Sequence, residues 1–343
     1  MEWESRLQKY CEQAKASHIG MTQLTTPLSW LHYEKWIKDD YQMDMQYLKT
    51  HSESKKNPQA WQPIMKSAIV FAFPYLPHPK GNSPLPSSRI AMYAAGEDYH
   101  HWMKDQMNEV IKDLQIHFPT AQFSVHTDSS PILERDLAQR AGLGWFGKNT
   151  CLIHPKKGSL FLIGEILTSL DCTLQTQPVH DFCGTCTKCL DVCPTKALVS
   201  PQVLKPELCI SYWTIESRKI APVEIRKQMG DWLFGCDLCQ TVCPWNQKAF
   251  QKTLKFDLQL PLSSEENQSQ IQELRWLLQA SHREILRKVK GTPLSRAGGK
   301  GLKRNALIVI ANRKIQSLMS EVERHFEDPY LGELARWTAK RLS

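Results

Sequence analysis

The sequence predicts a mixed α/β (α+β) amino-terminal domain, a compact cysteine-rich segment and a short all-helical domain, on three observations. Short apolar runs alternate with amphipathic helical stretches through residues 1–171. Eight of the eleven cysteines fall between Cys183 and Cys243, inside a segment drawn as residues 172–262. From 263 to 343 the pattern is helical and locally very basic.

Residues 1–60 carry an amphipathic helical pattern, with Leu7, Tyr10, Cys11 and Ala14 on one face. The period changes at Ser67–Pro74 (SAIVFAFP), an apolar, β-branched and aromatic run that predicts a buried strand. Pro77, Pro79, Gly81, Pro84 and Pro86 predict a loop, and residues 99–118 return to helical spacing. Residues 122–127 alternate as a strand, 133–141 form a helix stopped by Gly142 and Gly144, and 159–170 (SLFLIGEILTSL) make a long apolar strand. Gly142, Gly144 and Gly147 spell G-x-G-x-x-G, but after a helix and not after a strand. The run therefore reads as a tight turn with backbone close to a ligand, not as a dinucleotide fingerprint.

In the second segment Cys186, Cys189 and Cys193-Pro194 recur fifty residues later as Cys236, Cys239 and Cys243-Pro244. The first run, Cys183, Cys186, Cys189 and Cys193, has the C-x2-C-x2-C-x3-C-P spacing of a two-cluster ferredoxin, in which the fourth thiolate ligates the other cluster. The second run has Leu233 where its own first cysteine would stand, and Cys209 is the replacement. The assignment is Cys183, Cys186, Cys189 and Cys243 for one [4Fe–4S] cluster, and Cys236, Cys239, Cys193 and Cys209 for the other. Structural zinc is the rival, since paired C-x2-C motifs also make tetrahedral sites. The x2-x2 triplet and the Cys-Pro after an x3 gap favour the cubane. Cys11, Cys151 and Cys172 are scattered and read as small buried hydrophobes.

Helical patterns at 271–289, 301–312 and 328–342 follow the polar stretch 263–270, and pairs of this length resemble one or two HEAT-type repeats. Ten basic residues against one acid, Glu284, occupy 283–314, whereas the whole chain of 343 residues carries only +8. The basicity is thus local, and it suits a polyanion whose phosphates supply salt-dependent affinity; a solvated helix face is the plainer reading. Hydrophobic content of 41% and charged content of 23% are those of an ordinary globular protein. An acidic start without a following apolar run predicts neither signal nor transit peptide, and no stretch has the length of a membrane span. A cytoplasmic location, where clusters are assembled and thiols stay reduced, is the expectation. Two clusters carry electrons but do not rearrange an organic substrate, so the preceding domain is expected to hold a redox-active cofactor or substrate pocket.

The block His126-Thr127-Asp128-Ser129-Ser130-Pro131-Ile132-Leu133-Glu134-Arg135, continuing as Ala141-Gly142-Leu143-Gly144-Trp145-Phe146-Gly147-Lys148-Asn149, resembles the core motif of the cobalamin-dependent epoxyqueuosine reductases. Further matches are Tyr93-Ala94-Ala95-Gly96-Glu97-Asp98-Tyr99-His100, Gly158-Ser159, Cys209-Ile210-Ser211-Tyr212-Trp213-Thr214-Ile215-Glu216, Gly291-Thr292-Pro293-Leu294-Ser295-Arg296 and Arg304-Asn305-Ala306. The resemblance spans essentially the whole chain. It implies reduction of epoxyqueuosine to queuosine at the wobble position of tRNA, with base-off cobalamin in a nitroreductase-like amino-terminal domain fed by the two clusters. Asp98-Tyr99-His100 is followed by Met103 where the histidine-ligand motif D-x-H-x-x-G needs glycine, which agrees with cobalt lacking a protein histidine.

By the same resemblance Glu134 is the proton donor, and Glu97, Glu134, Gly158 and Ser211 contact the cobalamin. Arg296, Lys300, Lys303 and Arg304, in the basic segment, are expected to bind the tRNA phosphates. His100, His101 and His154 read as structural or corrin-amide partners, and Tyr99, Trp102 and Trp145 as core aromatics of which one can stack on a flipped base. Asp128, ahead of a Ser-Ser-Pro turn, fits an Asx turn equally well. A flavodoxin- or ferredoxin-type donor and a monomeric state complete the expectation. The alternatives are a cobalamin/iron–sulfur reductase acting on a small molecule, resembling reductive dehalogenases, and a non-enzymatic electron carrier.

Overall fold

The computed structural model describes residues 2–75, 83–172, 174, 179–250 and 263–343. Of the expected proline loop, Pro77, Pro79 and Gly81 lie outside the described residues. Four strands form the main sheet: β1 (His18–Gln23), β2 (Ser67–Pro74), β3 (Phe123–Thr127) and β4 (Phe161–Thr168). Their order is β1-β2-β4-β3, and every pairing is antiparallel, so of the two expected classes the sheet is of the α+β kind.

Both faces of β2 are buried, which is why its sequence is continuously apolar instead of alternating. Ile69, Phe71 and Phe73 meet α1 (Glu2–Gln13) and α2 (Tyr99–His117) on one face. Ala68, Val70 and Ala72 meet Leu137 and Ala138 of α3 (Glu134–Arg140) on the other. Met103, Met107, Val110 and Leu114 recur at helical spacing along α2 and are fully buried. Each contributes about 2 kcal/mol of hydrophobic stabilisation. β1 corrects the reading of residues 1–60 as helical throughout. Its Gly20 explains the strand's closeness to α3, since a Cβ there would stand 2.1 Å from the Ala141 carbonyl oxygen.

The carboxy-terminal helices are α4 (Ser264–Gln279), α5 (His282–Lys288), α6 (Gly298–Arg313), α7 (Met319–Glu323) and α8 (Gly332–Leu342). Residues 263–270, expected as a polar connection, instead open α4 through a capping box in which Ser263 and Glu266 satisfy each other's backbone N–H. A second box, Ser281 with Glu284, splits the single helix expected over 271–289 into α4 and α5. These helices do not form a separate core: Leu274, Leu302, Leu307 and Leu334 pack with Ile210, Trp213, Trp232 and Phe234. Among the described residues no helix is long and apolar enough to cross a membrane.

Candidate active site and cluster segment

Glu134 is the first residue of α3, reached directly from the turn that follows β3. Its Oε1 is buried and has no hydrogen-bond partner. Burial, reinforced by the negative charge of Asp128, pushes its carboxyl up to about 8, while Lys55, Arg135 and His100 pull the other way. The helix amino terminus also favours the anion, but by no more than about 1 kcal/mol, so burial prevails and Glu134 is neutral at pH 7. Pairing with Arg135, the plainer fate of such an acid, does not occur: Arg135 Nη1 donates instead to the Thr150 carbonyl at 2.5 Å. Lys55 is buried, donates to the Ile132 carbonyl at 3.2 Å, and is pulled below the ordinary lysine range by desolvation.

Asp128 has the opposite character. It accepts hydrogen bonds from the Tyr99 hydroxyl and from His100 Nε2, the latter at 2.5 Å. Burial raises its pKa, but those bonds outweigh burial and hold it ionised, below the usual carboxylate range. His100 is clamped at both ends, since its Nδ1 lies 2.6 Å from Asp98 Oδ1. The hydrogen bond to Asp128, followed by that to Asp98, raises its pKa to about 9. The site therefore sets a neutral carboxyl beside an ionised one, the division of labour that acid–base chemistry at one pH requires.

The other expected contacts fall in different places. Glu97 is exposed on the turn before α2. Gly158 does make a close backbone approach, with φ +66, but to Asn246: a Cβ there would meet its Oδ1 at 2.1 Å. Asn246 Oδ1 also accepts the Ser159 N–H at 2.6 Å, tying this turn to the second cysteine run. Ser211 precedes the helical turn Tyr212–Glu216; burial pushes the Cys209 thiol up, and the backbone N–H groups of Tyr212 and Ser211 act against it. His154 accepts the backbone N–H groups of Lys156 and Lys157 at Nδ1.

None of the eleven cysteines is in a disulfide, and among the described residues no three His, Cys, Asp or Glu side chains close on a single-ion site. Cys183 and Cys243 share one apolar pocket with Trp145, Ile153 and Trp245. Cys209 and Cys236 border the large carboxy-terminal core, both within electrostatic reach of Cys193. The two runs are thus brought together crosswise. Sulfur-directed donors are present, from Trp145 Nε1 to Cys183 at 3.5 Å and from the Ala197 N–H to Cys193 at 3.3 Å. The loop bearing Cys183, Cys186 and Cys189 has exposed neighbours, Phe182, Gly184, Thr185 and Lys188, whereas the residues before Cys236 are buried.

In the basic segment Arg296 and Lys300 are exposed, although Arg296 pairs with Glu216 at 2.8 Å. Lys303 is half-buried and donates to the Leu278 carbonyl at 3.0 Å. Arg304 requires a correction. It is only 1% exposed, and its guanidinium donates to the Asn305 side chain at 3.1 Å and to the carbonyls of Ser217 at 2.6 Å, Lys219 at 2.8 Å and Trp213, so it is spent inside the protein and is not presented to a phosphate. The sequence places it among basic neighbours, and only the fold shows that it points inward.

Two cysteine runs brought together crosswise, with a neutral carboxyl beside an ionised one in the preceding domain, are the arrangement expected of an iron–sulfur oxidoreductase. Residues 182–246 match the 4Fe-4S double cluster binding domain, and residues 55–129 match the epoxyqueuosine reductase QueG family model. The epoxyqueuosine reductase of Xanthomonas campestris pv. campestris is 31% identical over 97% of this chain and 94% of its own length. The chain belongs to the epoxyqueuosine reductase family. Among solved structures, epoxyqueuosine reductase with an epoxyqueuosine-modified tRNA-Tyr stem loop aligns with a TM-score of 0.81 at 28% identity, covering 99% of this chain and 90% of that one. The Bacillus subtilis enzyme, captured with the loop of its catalytic aspartate swung out of the active site, aligns equally well, at 28% identity over 100% of this chain and 91% of that one.

Proposed function

We propose that this protein reduces epoxyqueuosine to queuosine at the wobble position of tRNA. Two electrons and two protons enter, the epoxide oxygen leaves as water and a carbon–carbon double bond forms. The observation that carries the reading is the neutral carboxyl of Glu134, its Oε1 buried and unpartnered, in a chain related over 97% of its length to an epoxyqueuosine reductase. Cys183, Cys186, Cys189, Cys243 and Cys193, Cys209, Cys236, Cys239 would hold the two clusters, which would supply electrons singly, and cobalamin, when bound, would supply a low-valent cobalt. Both ring nitrogens of His100 are engaged by carboxylates, so a cobalt held here would take no ligand from His100. Glu134, Glu97, Gly158 and Ser211 are the proposed cobalamin contacts, with Gly158 and Ser211 acting through backbone.

Glu134 holds its proton where negative charge develops on the epoxide oxygen, and gives it up there. The Lys55 ammonium lies close enough to stabilise the anion left behind. Asp128 cannot serve as this acid, since His100 and Tyr99 keep it ionised. The reading includes a nitroreductase-like amino-terminal region, HEAT-like carboxy-terminal helices, functional divisions near 171 and 262, a cytoplasmic monomer, and a flavodoxin- or ferredoxin-type donor entering at the exposed first cysteine run. A small-molecule reductase would have no use for the basic face. The test is anaerobic reconstitution followed by reaction with an epoxyqueuosine-bearing anticodon stem loop and mass analysis of its nucleosides. The product nucleoside loses the mass of one oxygen; an unchanged nucleoside, with clusters and cobalamin loaded, sinks the proposal.

Phosphate contacts from Arg296 and Lys300 yield a second expectation. Arg296→Gln and Lys300→Gln should each weaken stem-loop binding and lower the salt slope of log K by about one, read by titration at several salt concentrations. An unchanged slope in both removes this face from the interface.

A further inference from the structure

Glu165 is a buried ionisable group to which the mechanism above gives no task. It lies in the middle of β4, between Val70 of β2 and His126 of β3. It is fully buried, and neither carboxyl oxygen has a hydrogen-bond partner. Alternation along β4 places Phe161, Ile163 and Leu167 in the core beneath α3, so Glu165 faces α3 as well.

The charged and titratable groups around it offer no cation in contact. From β3, His126 is held neutral by burial and has both nitrogens engaged by the hydroxyls of Ser124 and Ser130 at 2.8 Å. From α3, Arg135 turns to the Thr150 carbonyl, and Asp136 is taken by Arg140 and the Ser29 N–H. The Lys55 ammonium is donated to the Ile132 carbonyl. Asp128, beyond the end of β3, is held by Tyr99 and His100. Glu134 is what remains, with its own Oε1 buried and unpartnered. An ionised carboxylate in the place of Glu165 would be desolvated with nothing to compensate it, so the group is neutral. Burial, followed by the charges of Glu134 and Asp128, pushes its pKa well up. Each group then has what the other lacks: Glu165 an O–H without an acceptor, and Glu134 an oxygen without a donor.

We propose that Glu165 is a positioning residue for Glu134, remaining protonated through turnover and donating its O–H to the Glu134 carboxylate as the Glu134 proton departs. The inference rests on Glu134 being the acid. No net proton is consumed from Glu165: the proton that reaches the epoxide oxygen is that of Glu134, which is reloaded from solvent, and Glu165 lowers the cost of the buried anion in between. A hydrogen bond to a newly formed charge of this kind is worth about ten- to a hundredfold in rate.

Three variants of the reconstituted holoenzyme test the proposal, with infrared difference spectra and single-turnover pH profiles as readouts. Glu165→Gln, which keeps a neutral donor, should remove one protonated-carboxyl C=O band at pH 7 and stay within about threefold of the parent rate. Glu165→Leu should lose about ten- to a hundredfold, and the alkaline limb of its profile should move to higher pH, because the Glu134 anion has lost a donor. Glu134→Leu should shift the frequency of the remaining Glu165 band. A spectrum in which Glu165→Gln removes no such band, or a Glu165→Leu profile whose alkaline limb coincides with that of the parent, overturns the proposal. Full turnover by Glu134→Gln would instead defeat the assignment of the acid, and the band shift would still report on the pair.

Discussion

Glu134→Gln is expected to lower single-turnover reduction of the epoxyqueuosine stem loop by about 10²- to 10⁴-fold, the range general acids contribute. The substitution preserves size and neutrality at pH 7, so cluster and cobalamin absorption and stem-loop affinity should stay at parent values. What disappears is the transferable proton. The parent enzyme carries its own internal check, since a proton donor works only below its pKa. With Glu134 raised to about 8 by burial, the rate of the proton-dependent step should fall as pH rises through about 8. Stability has the same sign: the folded state holds a proton that the unfolded carboxyl, at its ordinary value of 4.5, releases sooner. Folding is therefore progressively disfavoured between about pH 4.5 and 8, and Glu134→Gln should flatten that decline. A variant with parent rate and parent pH profile would remove Glu134 from the chemistry.

Arg304→Met is expected to destabilise the protein by about 4 kcal/mol, measured by denaturant unfolding of the full chain. The methionine keeps much of the volume but strands the Ser217, Lys219 and Trp213 carbonyls that the guanidinium now satisfies; each orphaned acceptor costs about 1–3 kcal/mol, with partial relief by relaxation. Lys300→Gln, at an exposed position on the same helix, should change stability by no more than about 0.5 kcal/mol. Similar losses from both substitutions would mean that Arg304 does not hold α6 to the turn at Tyr212–Glu216.

The contrast between these two side chains marks where the amino-acid sequence is legible. Spacing alone identifies the cysteine runs, because ligand geometry is imposed locally by two- and three-residue gaps. Buried strands such as Ser67–Pro74 announce themselves by a continuous apolar run, and the observed bounds of β2 are the expected ones. β1 hides because HIGMTQ is short and follows an amphipathic helix without a proline boundary. The capping boxes at Ser263 and Ser281 are readable as S-x-x-E, but they sit inside stretches whose polarity masks the helix start. Arg304 and Glu165 expose the deeper limit. An arginine in a basic run and an acid in an apolar strand carry the same letters whether they face solvent or the core, and only tertiary contacts decide. The lone acid within SLFLIGEILTSL is the available signal for Glu165; Lys55, in the run SESKK, has none. Asp128 and His100 are visible as candidates, but the clamp of Asp98, His100 and Asp128 brings a turn 28 residues away onto the helix start.

The uneven enclosure of the two cysteine runs has a consequence for the life of the enzyme. If the clusters sit on these ligands as proposed, the exposed neighbours of Cys183, Cys186 and Cys189 give dissolved oxygen and chelators the same access as a carrier protein, while Cys209 and Cys236 pack against the core. On that reading damage would begin at the outer run, and a half-loaded molecule keeping only its inner cluster would bind substrate yet receive no current. Repairing the outer cluster alone would restore it, with no need to refold the chain.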